Sequence, residues 1–467
     1  MDLFIADADR RRRLTATIYE QVRDAVTSGR LRPGDRLPSS RRLAAEHDVS
    51  RHTVTTVYGR LVAEGYLEGA AGGGTRVAAT THPGPGGAAV ADGRLVTRQA
   101  LRTLEPMALA PAGPFDLRLG LPDPRLFPLD EWRRRLTREL RAPVADLGTT
   151  GDPAGEPVLR QAIASWIERS RGVRATPDRV IVTAGAQQAF DLLLTALVAP
   201  GDVVAVEDPG YPRFRDLARL RGAEVVGVPV DAEGLVVDAL PPAARVVHVT
   251  PSHQFPLGTV MSLGRRRALL AWARAHDAAI VEDDYDSELR FTGRPLEPLH
   301  LLDDDGRVVY VATFSKSLSP SLRLGFLVAP RSLATGLGAV RQLVDWHGEP
   351  LAQRALAGLL DGGSMARHLH RARRTYAVRR EVVLRHAAGD LARLGRVLPS
   401  AAGLHVAVEL HDGVDEAEVV DRAVAAGIQL DRLGQYAVST DVRRGFGLSY
   451  GTVAEGPLDE ALTRLAG

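Results

Sequence analysis

In "LTATIYEQVRDAVTSG", residues 14–29, the apolar positions Ile18, Val22, Ala25 and Val26 recur at spacings of three and four. That is the stripe of an amphipathic helix, and Gly29 ends it. "RLRPGDRLPSS" then reads as a turn punctuated by Pro33, Gly34 and Asp35. Ser39 or Ser40 can cap a short helix, "RRLAAEHD". Ser50 can cap a longer one, "RHTVTTVYGRLVAEG", that turns Val54, Val57, Leu61 and Val62 inward. "YLEGAAGGGTRVAA" reads as two short strands about a glycine-rich tip. Three helices and a hairpin make a winged helix-turn-helix over residues 1–78. The pattern lapses from 79 to 112, where "AATTHPGPGGAAVADG" has no apolar period and reads as a flexible linker, with room for one helix from Arg94 to about Pro111.

From Phe115 the texture becomes short apolar runs alternating with helical stretches. "RVIVTAG", "DVVAVEDPG", "ARVVHVTP", "AAIVEDDYD" and "RVVYVATFS" are candidate strands; "AQQAFDLLLTALV", "PRFRDLARLRG" and "LGRRRALLAWARAH" are the helices between them. The alternation predicts an α/β body over residues 113–467, with a mainly parallel sheet that binds ligands at its strands' C-terminal ends. A large subdomain spans about 150–335, and a smaller α+β subdomain about 336–467.

Composition adds little until it is divided. Of 467 residues, 45% are apolar and 25% charged, the usage of an ordinary globular protein. No uninterrupted apolar run reaches membrane-spanning length, and "MDLFIADADRRRR" lacks the apolar core of an export signal, so a cytoplasmic protein is expected. There is no cysteine, which excludes disulfides and thiolate metal sites, and no metal centre is expected. Residues 1–76 hold thirteen arginines against ten acids, too small an excess to identify a nucleic-acid binder by charge alone. On periodicity, a helical docking domain accounts for the head as well as a DNA-binding one does.

One cation stands out. Of the 59 basic residues, 58 are arginine and Lys316 is the only lysine. Arginine serves surface solvation and anion binding equally well; a neutral amine that attacks a carbonyl is the work it cannot do. The neighbours separate that reading from a stray surface lysine. Thr313, Ser315, Ser317 and Arg323 surround it with hydroxyls and a guanidinium fork suited to a phosphate. In "TAGAQQAF", the backbone amides of Gly185, Ala186 and Gln187 open a helix and offer a second anion contact. "IVEDDYDSE" closes a strand with Asp283 on one face, Asp284 on the other, and Tyr285 back beside Asp283. Amine, anion cup, carboxylate, phenol and the ring of Tyr211 together suit pyridoxal phosphate. Lys316 would be its Schiff-base residue, Asp283 the partner of the pyridine nitrogen, Tyr285 that of the ring hydroxyl, and Tyr211 a stacking ring.

"PGDRLPSSRRLAAEHDVSRHTVTTVYGRLVAEGYL" resembles the DNA-binding domain of GntR-family bacterial regulators. The resemblance implies contacts to double-stranded operator DNA from Arg41, Arg51, His52, Thr53 and Thr55. Alanines precede the wing glycines where the family often has a basic residue, and Arg76 is the candidate substitute. From Phe115 onward the chain resembles the fold-type-I, class I aminotransferases, which implies the same roles for Lys316, Asp283 and Tyr285. It also implies a phosphate site at Ala186, Gln187, Thr313, Ser315 and Arg323. The pair, with "TPSHQFPLG" and "EDDYDSE", is similar to the MocR subfamily of regulators, which implies a homodimer.

Three positions depart from working aminotransferases. Phe255 replaces the asparagine of the "NPTG" loop, Thr150 a tyrosine before "GDPAG", and Gly447 the arginine that clamps an α-carboxylate. Arg213, Arg443 or Arg444 could stand in for that arginine, Arg213 at a position that GABA-sensing members of the subfamily use. His253 is a proton-relay candidate, though a hydrogen-bonded structural histidine is the plainer reading. The expected function is a regulator that senses an amino compound through Lys316, or pyridoxal phosphate itself as in PdxR-type regulators of vitamin B6 synthesis. The lost clamp tilts the balance toward the second. The rival is an active aminotransferase carrying a DNA-binding appendage.

Overall fold

The computed structural model describes residues 13–70, 74–79, 113–141, 149–293, 297–439 and 443–467. The linker expected at 79–112 and its helix, like the wing tip around Gly72, lie almost wholly outside the described residues. The chain divides into two compact units, Met1–Arg102 and Thr103–Gly467.

The head unit holds α1 (Arg13–Thr27), α2 (Ser40–Glu46), α3 (Arg51–Ala63), β1 (Leu67–Ala70) and β2 (Gly74–Val77). Ser39 caps α2 and Ser50 caps α3, each hydroxyl accepting a backbone N–H of the first turn. Ile18, Val22, Val54, Val57 and Leu61 close the core with Leu67 and Val77 of the antiparallel hairpin. Val62, expected inside, is 40% exposed: the inward stripe of α3 runs Val54, Val57, Leu61, and Val62 lies one step around the helix. Arg76 is not at the wing tip. It sits within β2 opposite Glu68, and its guanidinium donates to the Gly34 carbonyl at 3.2 Å, tying hairpin to turn.

The body begins with β3 (Phe115–Asp116), α4 (Leu129–Glu139) and α5 (Pro157–Arg171). Next come β4 (Val180–Thr183), α6 (Ala186–Leu197), β5 (Val203–Asp208), α7 (Pro212–Leu220), β6 (Glu224–Asp231), β7 (Gly234–Leu235) and β8 (Ala244–Val249). The large portion closes with α8 (Leu263–Ala275), β9 (Ala279–Asp284), α9 (Leu299–Leu302), β10 (Val308–Thr313) and β11 (Gly325–Val328). Its eight strands lie in the order β4-β11-β10-β9-β8-β5-β6-β7, with β11 and β7 antiparallel to their neighbours and the other pairings parallel. The period of two in the strands sorts their side chains. Val204, Val206, Val246, Val281, Val309 and Val311 face α6, while Ala205, Val247, Val249, Ile280 and Val308 face α8. Burial on both faces explains why these strands read as continuous apolar runs. β6, which carries Gly227 and Pro229 and lies near the sheet edge, is less apolar and escaped the sequence reading.

Then follow α10 (Arg331–Asp345), α11 (Pro350–Asp361), α12 (Ser364–Ala388), β12 (Gly395–Val397), β13 (His405–Leu410), α13 (Glu416–Ala425), β14 (Ile428–Gln429), β15 (Asp431–Arg432), β16 (Gly445–Ser449) and α14 (Glu455–Ala466). Four of these strands form a second antiparallel sheet, β12-β13-β16-β15, and β14 pairs with β3. The body is thus an α/β unit with a smaller α+β portion. Among the described residues no helix is long and apolar enough to cross a membrane.

Candidate functional site

The C-terminal ends of parallel strands converge on one place, as an open α/β sheet requires. Lys316 stands in the turn between β10 and β11. Its Nζ donates to the Gly120 carbonyl at 2.6 Å. Gly120 has φ +82°, a conformation that favours glycine, and a Cβ there would come within 2.8 Å of Nζ and displace the amine. Burial pushes the Lys316 ammonium below its ordinary range, opposed by the Asp286 and Asp283 carboxylates. Gly120, which meets the lysine across 196 positions of sequence, was not singled out by sequence reasoning.

Asp283 is the penultimate residue of β9 and is 5% exposed. His248, from the neighbouring β8, brings Nε2 to 3.7 Å of Asp283 Oδ2. Among the described residues, Asp283 Oδ1 and His248 Nε2 are both buried without a hydrogen-bond partner. Phe214 stacks on His248 at 4.2 Å between ring centroids and fixes its plane. Burial raises the Asp283 carboxyl, with His248 pulling the other way. Asp284 points to the opposite face, as the strand period dictates, and takes Arg171 Nε at 2.8 Å and the Tyr310 hydroxyl at 2.6 Å.

Tyr285 is buried, and its hydroxyl lies 3.0 Å from His253 Nδ1. His253 also meets Asp286 at 2.8 Å through Nδ1 and Ser400 at 2.9 Å through Nε2. Both ring nitrogens are therefore engaged, the arrangement of a fixed structural histidine. Burial, then Asp286 and Asp283, push the Tyr285 hydroxyl well above its ordinary value, so it stays protonated. Asp286 and Ser400 carried no sequence signal of their own.

The anion cup is assembled from two distant segments. Gly185, with φ +78°, precedes α6, whose first residues are Ala186 and Gln187. Arg323, itself in the left-handed region at φ +50°, donates to the Ala184 carbonyl at 2.5 Å. A Cβ on Gly185 would lie 3.1 Å from Arg323 Nη1, so the guanidinium rests on the helix's opening turn. The Thr313 hydroxyl donates to Ser315 Oγ at 2.8 Å beside it. Tyr211 immediately precedes α7 and stands edge-on to Phe255 at 5.8 Å. Its hydroxyl is pushed up to about 12, by burial and then by Asp283, with Arg213 and Arg323 opposing.

Phe255 occupies the middle of an aromatic group, with Tyr211, Tyr285, His405 and Tyr436 at centroid distances of 5.8, 6.2, 5.8 and 4.9 Å. At Gly447 a Cβ would meet Leu119 at 2.5 Å, so Leu119 fills the room an arginine would need. The three proposed replacements differ. Arg213 is part-exposed near Tyr211, 3.9 Å from Asp216. Arg443 is committed to Glu409 and to the Val230 carbonyl, both at 3.0 Å, and Arg444 is exposed to solvent. Thr150 is exposed.

In the head, Arg41, Arg51, His52 and Thr55 are exposed, and Thr53 is part-buried at the start of α3. Arg42 and Arg60 pair with Glu46 and Glu64, but Arg41, Arg51 and His52 have no ion-pair or side-chain hydrogen-bond partner among the described residues. The Thr53 hydroxyl meets Ser50 Oγ at 2.8 Å, and that of Thr55 donates to the Arg51 carbonyl at 2.9 Å.

Residues 116–448 match the aminotransferase class I and II family, and residues 14–77 match bacterial regulatory proteins of the gntR family. The chain is 35% identical to the probable rhizopine catabolism regulatory protein MocR of Rhizobium meliloti, over 99% of this chain and 95% of that protein. It is 36% identical to the HTH-type pyridoxine biosynthesis transcriptional regulator PdxR of Corynebacterium glutamicum, over 96% of this chain and 94% of that one. Among solved structures, the body is similar to the kynurenine aminotransferase of Pyrococcus horikoshii, with TM-score 0.71 and 28% identity over 76% of this chain and 90% of that chain.

Proposed function

This chain belongs to the MocR-type members of the GntR family, regulators with a winged helix-turn-helix head and a class I and II aminotransferase body, and on that premise we propose that it senses pyridoxal phosphate itself at Lys316. The observation that carries the choice of signal is Leu119 standing where a carboxylate-clamping arginine would go, which leaves an amino acid without its usual anchor while the cofactor's own contacts remain.

The aminotransferase match implies pyridoxal phosphate as cofactor. The residues fit it. A buried carboxylate oxygen without a partner is costly, and a cationic ring nitrogen satisfies it at Asp283. When bound, the cofactor supplies an aldehyde that joins an amine. Lys316 provides that amine, and its lowered pKa makes it neutral at a lower pH than an ordinary lysine. The Gly120 carbonyl orients it by accepting its N–H. Arg323, the Thr313 and Ser315 hydroxyls and the amides of Gly185, Ala186 and Gln187 hold the phosphate. Tyr285, kept protonated and fixed by His253, would offer a hydroxyl to the ring's oxygen, and Tyr211 would supply an aromatic ring to hold the cofactor's ring.

The free cations of α2 and α3, Arg41 and Arg51, hold operator phosphates with α3 in the major groove, alongside His52, Thr53 and Thr55. Two copies of the chain would read a repeated site, in the cytoplasm. An amino compound acting through Arg213 is the second form of the sensor, and turnover between an amino donor and an oxo acid is the enzymatic reading. The enzymatic reading needs the substrate carboxylate held at the usual place, which Gly447 with Leu119 opposes.

The test is borohydride reduction of full-length protein with pyridoxal phosphate. The peptide containing Lys316 gains one cofactor mass, and Lys316→Ala gains none. Gel shifts on the gene's own upstream DNA change with pyridoxal phosphate and not with amino donors. An unmodified lysine in folded, saturated protein overturns the site, and multiple turnover with a common donor overturns the regulator in favour of the enzyme.

A further inference from the structure

The two adjacent acids of β9 divide the body. Asp283 faces Lys316; Asp284 faces the other way, held by Arg171 and Tyr310. Beyond Asp284 lies a cavity of about 240 Å³ lined by Arg171, Ser287, Glu288, Arg290, Phe291 and Arg373 among others. None of these serves the lysine site.

Its charges are oddly left apart. Elsewhere in the body, buried acids meet arginines directly, as Asp123 does Arg379 and Asp284 does Arg171. Glu288 and Arg290 line one cavity, yet among the described residues neither is paired with an opposite charge: the Glu288 carboxylate takes only its own backbone N–H, and Arg290 Nε is buried without a hydrogen-bond partner. Arg373 donates to the backbone carbonyl of Glu288 at 2.5 Å and not to its carboxylate. Burial and the nearby Asp284 raise Glu288 to about 7 against the pull of its own backbone N–H and of Arg171, while burial and Arg171 lower Arg290. Each group is therefore stressed in its charged form, and one small molecule with both charges relieves both. A lone anion satisfies Arg290 and leaves Glu288 without a charge partner; a lone cation does the reverse. The volume is below the roughly 300–1,000 Å³ of sites for drug-sized ligands, which suits something smaller.

We propose that this cavity is a second, noncovalent site for a small amino acid in its zwitterionic form, Arg290 taking the carboxylate, Glu288 the ammonium, and Phe291 the methylenes. It would be a separate input from the lysine site, and the backbone offers a route between them. The Phe291 N–H donates to the Ala401 carbonyl at 3.0 Å, and the adjoining Ser400 holds His253, the partner of Tyr285.

The test is calorimetric titration of full-length protein with glycine, β-alanine and 5-aminopentanoate. The primary amine is first blocked by borohydride with pyridoxal phosphate, its mass gain checked, and Lys316→Ala protein is run beside it. At least one amino acid is expected to bind once per chain, equally in both preparations. Propionate and propylamine each bind at least tenfold more weakly, as does that amino acid to Arg290→Gln and to Glu288→Gln. The probe comparison needs no variant and stands if either one misfolds. Absence of saturable binding by all three overturns the site, equal binding of propionate reduces it to an anion site and overturns the zwitterion, and wild-type affinity in folded variants overturns the residue assignment. Failure of the mass gain counts against Lys316 alone, because Lys316→Ala still reports on the cavity.

Discussion

The head and the body both present polar groups without partners, but in opposite settings. Arg41, Arg51 and His52 are unpaired in water, where lacking a partner costs almost nothing. Asp283 Oδ1 and His248 Nε2 are unpaired in the interior, where each costs about 1–3 kcal/mol. A free surface cation becomes informative only through its place on a helix that fits a groove. A buried orphan carries more information, because it costs folding free energy that a ligand can recover. The comparison breaks first at Asp283. Asp283→Asn should lower pyridoxal phosphate affinity at least a hundredfold, since losing one member of a buried charge pair costs about 3–5 kcal/mol. The cofactor-free protein should melt no lower than the parent, because the orphaned charge has gone. Spectroscopic titration and a melting curve check both, and unchanged affinity would sink the ring-nitrogen role.

Next in size is Gly120→Ala. The new Cβ meets Nζ and must adopt a left-handed conformation, at a cost of about 1 kcal/mol or more. Borohydride trapping at Lys316 should slow about tenfold, measured by mass spectrometry over time. The lowered lysine pKa sets the sign of its pH profile: trapping should rise with pH and level off below the range of an ordinary lysine, and a midpoint near 10.4 would show that burial leaves the amine unperturbed.

On the head side effects are smaller and depend on salt. Arg41→Ala and Arg51→Ala should each weaken operator binding about fivefold near 0.1 M salt. Each should also flatten the log–log salt slope by about one, because one phosphate contact is lost. Fluorescence anisotropy at several salt concentrations measures this. Arg76→Ala is the internal contrast: its guanidinium holds Gly34, so the slope should stay put while the head's stability falls.

What could be read from the chain follows the range of the interactions. Strands β4, β5, β8, β9 and β10 and the capped helices of the head were legible because their signals are local: apolar runs, serine caps, the 3.6-residue stripe. Lys316 was legible because a chain written in arginine uses lysine once, and Asp283 with Tyr285 because a period of two separates them from Asp284. Gly120, His248, Asp286 and Ser400 were not, since each matters only through a partner supplied by another strand or by the smaller sheet. Val62 and Arg76 show the opposite error: one step around a helix, and two positions into a hairpin strand, change what a side chain faces.

The smallest effect tests whether the head's exposed cations depend on the helix that carries them. Ser50 Oγ accepts the Thr53 N–H at 3.0 Å, capping α3 one residue before Arg51. Ser50→Ala should cost the head about 1 kcal/mol, read by its melting, and weaken operator binding only two- or threefold as the first turn frays. Ser50→Asp restores the cap, and its charge suits the helix N-terminus, so stability should return to the parent value. That same charge would face DNA phosphates if α3 enters the groove by its first turn, so binding should fall below that of Ser50→Ala. A Ser50→Asp protein that recovers both stability and binding would place the DNA elsewhere than at Arg51 and His52.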